Sequence, residues 1–145
     1  MKCGRNGQNE CFLDTNVVIE FMGEREGFFE DASIIFGLHN DGVIHASISS
    51  LTIVNCAYIL KKAFSTEIML EKIEMLCKTF NIVPIDKNVL LNAIRMKPYD
   101  YEDAVQYFSS LTNKPDLIIS RDKKGFKDFD IPVFTPAEFV AEMKK

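Results

Sequence analysis

Leu117-Ile118-Ile119-Ser120-Arg121-Asp122 is the most strand-like run in the chain, and it stops on polar residues. Consecutive apolar residues with no polar residue alternating between them suit a strand covered on both faces, the usual state of a parallel sheet. Outward from this run the pattern recurs. Cys11-Phe12-Leu13 is a short apolar run that ends at Asp14, and Val43 to Ile48 and Ile82 to Ile85 read as further strands. Helical patterns fall between them: Asn16 to Met22, Phe28 to His39, then the turn Asn40-Asp41-Gly42. Ser49-Ser50 opens a helix through Lys62 with Leu51, Val54, Tyr58 and Lys62 on one side. Ser65 or Thr66 caps the next, in which Met69, Ile73, Leu76 and Phe80 recur at spacings of four, three and four. Lys87 to Arg95 is helical, and Pro98-Tyr99-Asp100 starts a helix with Ala104, Phe108 and Leu111 inward. Ile131-Pro132-Val133-Phe134 reads as a turn before a last helix from Pro136. Strands alternating with helices predict an α/β domain whose central parallel sheet is covered on both faces. Residues 1–10 are expected to form a flexible arm, and 11–145 one domain.

The composition fits. The chain has 145 residues, 47 % hydrophobic and 26 % charged, enough for one domain with a real core. Its net charge is −4. A protein that gripped nucleic acid chiefly by charge would be basic, so any such contact must be local or run through a metal ion. Cys3, Cys11, Cys56 and Cys77 contain no C-x-x-C pair, so no zinc site is expected. Met1 to Glu10 has no apolar stretch typical of a secretory leader, and no run approaches a membrane span. Free thiols in that context predict a cytoplasmic protein with no membrane partner.

Ligands of an open parallel sheet sit outside the carboxyl ends of its strands. Asp14 and Asn16 follow the first strand, Ser120 and Asp122 follow Leu117 to Ile119, and Asp100 and Asp103 open the helix after Pro98. Each has a plain structural reading. Asp14 or Asn16 suits a helix cap, Asp100 and Asp103 suit a cap with a capping-box partner, and Asp122 suits a turn. Asp86 also follows a strand and is given the capping role only. Arg121, Lys123, Lys124 and Lys127 make a basic cluster that is either solvated surface or an RNA contact. His45 reads as packed or partly exposed, with no pairing partner.

Resemblance joins these positions. Phe12-Leu13-Asp14-Thr15-Asn16-Val17-Val18-Ile19 resembles the opening motif of PIN domains. Asp100-Tyr101-Glu102-Asp103-Ala104-Val105 resembles their third motif, and Asp116 through Phe126, with Ser120-Arg121-Asp122, the fourth. Ile131 to Phe139 is similar to the family's last strand and helix, so the match runs in order over roughly residues 11 to 142. The resemblance implies a three-layer α/β/α sandwich and a metal-dependent endoribonuclease of the VapC toxin type, leaving 5′-phosphate and 3′-hydroxyl ends. It implies Asp14, Asp103 and Asp122 as catalytic residues and ligands of Mg²⁺ or Mn²⁺, with Asn16, Asn55, Asp100, Asp116, Ser120 and Arg121 in support. The hard cations favour carboxylate oxygens and activate water for attack on a phosphate. RNA as substrate, a cognate antitoxin and a homodimer are the partners it implies.

The pattern breaks at one place. The family's second acid is a Glu on the helix after the second strand, and Asn55 takes that position; no acid lies between Asp41 and Glu67. Gly125 stands three residues after Asp122, where relatives often carry an acid. The alternative is therefore a PIN-fold RNA- or protein-binding module with weakened or lost catalysis. A phosphotransfer domain with Asp14 as nucleophile is disfavoured, because Asn16 stands where a phosphatase needs a second acid.

Overall fold

The structure, a computed structural model, describes residues 9–145. Five strands, β1 (Asn9–Leu13), β2 (Ile44–Ser49), β3 (Asn81–Val83), β4 (Leu117–Ile119) and β5 (Val133–Phe134), form one parallel sheet in the order β3-β2-β1-β4-β5. Among the described residues seven α-helices accompany them: α1 (Thr15–Met22), α2 (Phe29–Asn40), α3 (Ser50–Leu60), α4 (Thr66–Thr79), α5 (Lys87–Arg95) and α6 (Tyr101–Ser110) between strands, and α7 (Pro136–Met143) after the last. Residues 1–8 of the expected arm lie outside the described residues. Asn9 and Glu10, assigned to that arm, belong to β1, because they pair with Ile44 and His45 of β2.

Alternation along each strand divides the core between two faces. Cys11, Leu13, Leu117 and Ile119 pack with Val18, Ile35, Cys56, Leu76 and Phe139, so α1, α2, α3, α4 and α7 cover one face. Phe12, Ile118 and Phe126 face the other side, where α5 and α6 bring Ala93, Ala104 and Val105. This is a three-layer α/β/α sandwich.

Two local expectations are corrected. Ile131 to Phe134 is not simply a turn: Val133 and Phe134 pair with Ile118 and Ile119 as the edge strand β5. Helix α3 buries Thr52, Cys56 and Leu60, while Val54 and Tyr58 are exposed. That helix is apolar nearly all round, so its pattern does not mark an inner face. Helix α4 behaves as expected, with the Ser65 side chain accepting from the Ile68 N–H at 3.2 Å and Met69 and Leu76 buried.

Candidate active site at the carboxyl edge of the sheet

The chain leaves β1 toward β2 and β3 on one side, then returns to its other side with β4 and β5. The crevice at the carboxyl ends of β1 and β4 is the position where such sheets bind ligands. Asp14 sits there. Its N–H donates to the Ile119 carbonyl at 3.0 Å, and its extended backbone caps α1. Four donors hold its buried carboxylate: Thr15 N–H at 2.9 Å and Gln106 Nε2 at 3.3 Å on Oδ1, Ser120 Oγ at 2.7 Å and Asn16 Nδ2 at 3.4 Å on Oδ2. Burial pushes the Asp14 carboxyl above its ordinary value, and the bond from Ser120 is the strongest pull the other way. Beneath it Gln106 Nε2 also donates to Thr15 Oγ1 and Thr52 Oγ1, and its Oε1 accepts from Ser49 Oγ.

Four more acids, Asp100, Glu102, Asp103 and Asp122, line the same depression, together with Asp14, Asn16 and Arg25. Asp100 caps α6, accepting from the Asp103 N–H at 2.9 Å. Asp122 accepts from the Gly125 N–H at 3.3 Å, and its own N–H donates to Ser120 Oγ at 3.0 Å. One oxygen each from Asp100, Asp103 and Asp122 lie within 4.8 Å of one another. Asp103 is only 7 % exposed, and its Oδ2 is buried with no donor group facing it among the described residues. Burial, then the negative charges of Asp14, Asp100 and Asp122, push the Asp103 carboxyl up to about 8.

Gly125 makes that packing possible. A Cβ there would overlap Asp103 Oδ2 and stand 2.7 Å from its Cγ and 3.1 Å from Asp122 Oδ2. The space a side chain at position 125 would need is filled by Asp103.

Asp14, Asn16, Asp100, Asp103, Ser120 and Asp122 are thus brought together, whereas others are not. Asp116 precedes β4 and lies at the opposite edge of the sheet, where its Oδ2 accepts from the Glu10 N–H at 2.9 Å. Arg121 turns its guanidinium over the Phe28 ring at 3.6 Å, with Nε 3.6 Å from Glu20 Oε1; only its backbone N–H meets the site's Asn16. The basic residues divide: Lys123 pairs with Glu138, while Lys124 and Lys127 both stand over the Tyr99 ring. Asn55 donates from Nδ2 to Glu102 Oε1 at 2.9 Å. His45 does have a partner, Glu10 Oε2 at 2.7 Å from Nδ1, far from this edge of β2. Asp86 caps α5 through the Val89 N–H, as expected. Gln106, Glu102 and Arg25 were not foreseen. Gln106 had a signal, its place one helical turn after Asp103 on the same face.

The family model described as PIN domain matches residues 10–124. The chain belongs to the PIN domain family. PIN domains are a nuclease family, and the acids gathered above lie on the segments that resemble its first, third and fourth motifs. No curated protein matches the chain by sequence. Solved structures share the PIN fold. A toxin–antitoxin complex from Klebsiella pneumoniae is 22 % identical, with 87 % of this chain and 97 % of that chain covered at a TM-score of 0.64. A DNA-bound VapBC from Salmonella typhimurium is 16 % identical, covering 89 % and 99 % at 0.68. A Mycobacterium tuberculosis VapC toxin described as cleaving the sarcin–ricin loop is 10 % identical, covering 74 % and 86 % at 0.61. Among the described residues no helix is long and apolar enough to cross a membrane.

Proposed function

We propose that this PIN domain is a divalent-cation-dependent endoribonuclease of the VapC type. The observation that carries the reading is the buried, unpartnered Asp103 Oδ2 among carboxylate oxygens of Asp100 and Asp122 within 4.8 Å of one another. Asp103 is buried, Asp100 half-buried and Asp122 exposed, and a buried carboxylate held that close to two other acids is unfavourable unless a proton or a cation neutralises it. An all-oxygen donor set fits a hard ion, Mg²⁺ or Mn²⁺. Asp100, Asp103 and Asp122 would hold it, with Asp14 fixed beside them. A cation bound there supplies positive charge for the scissile phosphate and acidifies the attacking water.

The chain's own residues prepare the place. Ser120, Asn16, Gln106 and Thr15 fix Asp14 in one orientation, and Gly125 leaves room for the Asp103 carboxylate. Arg25 at the rim offers a positive charge to an incoming backbone phosphate. The acidic depression repels RNA unless neutralised, which ties substrate binding to cation binding. A cognate antitoxin, a homodimer and a cytoplasmic location complete the reading; resemblance to toxin–antitoxin complexes supports the first of these.

Incubation of the purified chain with a structured RNA and Mn²⁺ tests it. Cleavage that leaves 5′-phosphate ends, stops with a chelator and is absent in Asp103→Asn is the expected result. Cleavage equal in Asp103→Asn would overturn it. The alternative, a binding module with lost catalysis, rests on Asn55 alone; RNA bound but uncut with Mn²⁺ present would favour it.

A further inference from the structure

Asn55 looks like a lost acid, yet its amide does not stand idle. Its Nδ2 donates to Glu102 Oε1 at 2.9 Å, joining α3 to the first turn of α6. Glu102 lines the depression beside Asp14, Asp100, Asp103 and Asp122, and its negative charge is felt at Asp14. We propose that Glu102 supplies the carboxylate that position 55 lacks, and that Asn55 is a positioning residue which holds Glu102 at the depression. The proposal rests on the nuclease reading above and adds to it a residue outside the expected ligand set.

Two features favour this exchange of roles. An amide carries a donor, so Asn55 attracts the Glu102 carboxylate, whereas a carboxylate at 55 would face Glu102 at hydrogen-bond distance and repel it. Independently, Asp103, the next residue of the same helical turn, leaves Oδ2 buried and unpartnered in the same depression. The depression therefore concentrates negative charge around Asp103 and has an additional acid at its margin. In this chain α6 carries the acid and α3 the residue that orients it. One consequence is that Asn55→Glu does not restore the site, because it sets two carboxylates against each other.

Calorimetric titration of the full chain with Mn²⁺ tests this without a turnover assay. Wild type is expected to bind, Asp103→Asn to lose binding, and Glu102→Gln to bind about tenfold more weakly. Asn55→Ala and Asn55→Glu are each expected to weaken binding, while the exchange Asn55→Glu with Glu102→Gln recovers most of it. A merely structural role for Asn55 would not yield that recovery. Thermal melting checks that each variant folds, and Asn55→Ala carries the test should Glu102→Gln not fold. Glu102→Gln and Asn55→Ala both within twofold of wild type, with Asp103→Asn still deficient, would overturn the inference and leave the nuclease reading intact. No Mn²⁺ binding by wild type would overturn both.

Discussion

The Ser120 hydroxyl donates to Asp14 Oδ2 at 2.7 Å and accepts the Asp122 N–H at 3.0 Å. One buried oxygen thus ties the carboxyl end of β1 to the carboxyl end of β4 and orients the backbone that carries Asp122. Ser120→Ala removes a bond to a buried carboxylate and leaves part of it unsatisfied, which costs about 1–3 kcal/mol. Urea denaturation should show that loss. Carbon-detected NMR titration should also show the Asp14 carboxyl moving further up, since the bond from Ser120 is its main downward influence. A variant as stable as wild type would show that the hydroxyl plays no such part.

Stability of the cation-free protein should fall as pH rises. Asp103 has an ordinary carboxyl value of 3.8 and is pushed up to about 8 in the fold. The folded state therefore binds the proton more tightly than the unfolded chain. The stability this adds is fully present below the unfolded value and is lost as pH rises through the folded one. Melting temperature measured in chelator should drop by several degrees between about pH 5 and pH 8.5. Asp103→Asn should flatten the profile, and Mn²⁺ should restore the wild type at the alkaline end. A chelated wild type whose stability rises across that window would contradict the assignment.

Gly125→Ala should damage the site more than the fold. The new methyl group would overlap the Asp103 carboxylate, the end of a short side chain that can turn away. Mn²⁺ affinity should fall about tenfold or more. The melting temperature should change by only a few degrees, as expected for a cost near 1 kcal/mol. Unchanged affinity would show that Asp103 does not need its present position.

Arg121 should matter for stability rather than for RNA. Its partner Glu20 is 2 % exposed, with neither carboxylate oxygen hydrogen-bonded, and burial raises Glu20 while Arg121 opposes that rise. Arg121→Ala strands the acid. Because the Arg121 side chain is 43 % exposed, solvent screens the pair, and the cost should be about 1–2 kcal/mol. Glu20→Gln combined with Arg121→Ala should recover part of it in chemical denaturation. An Arg121→Ala chain that keeps full stability but loses RNA would return the side chain to the substrate.

Much of this architecture was legible in the chain. Leu117 to Ile119 and Cys11 to Leu13 are uninterrupted apolar runs because both faces of their sheet are covered, and period alone shows that. Asp14 follows its strand directly and Asp122 stands just beyond the end of the other, so the topology delivers them to one edge. Asp86 shows why position alone was insufficient: it follows β3 and does nothing but cap α5. What escaped the sequence depends on where side chains meet. The Gln106–Thr52–Ser49 network draws on three elements, and no local pattern marks it. Asp116 looked like a site acid because it adjoins β4, but it precedes the strand, and a parallel strand separates its two ends completely. Asn55 looked like a defect because its neighbour in space, Glu102, is 47 positions away in sequence.

The proposed nuclease stands on a divalent-cation site formed by Asp100, Asp103 and Asp122 at the carboxyl edge of the sheet. Crystals grown with Mn²⁺ and measured near the manganese edge test it most directly. An anomalous peak in contact with Asp103 Oδ2, and absent from Asp103→Asn crystals, is the predicted result. A wild-type map at saturating Mn²⁺ with no peak at these three residues would contradict it.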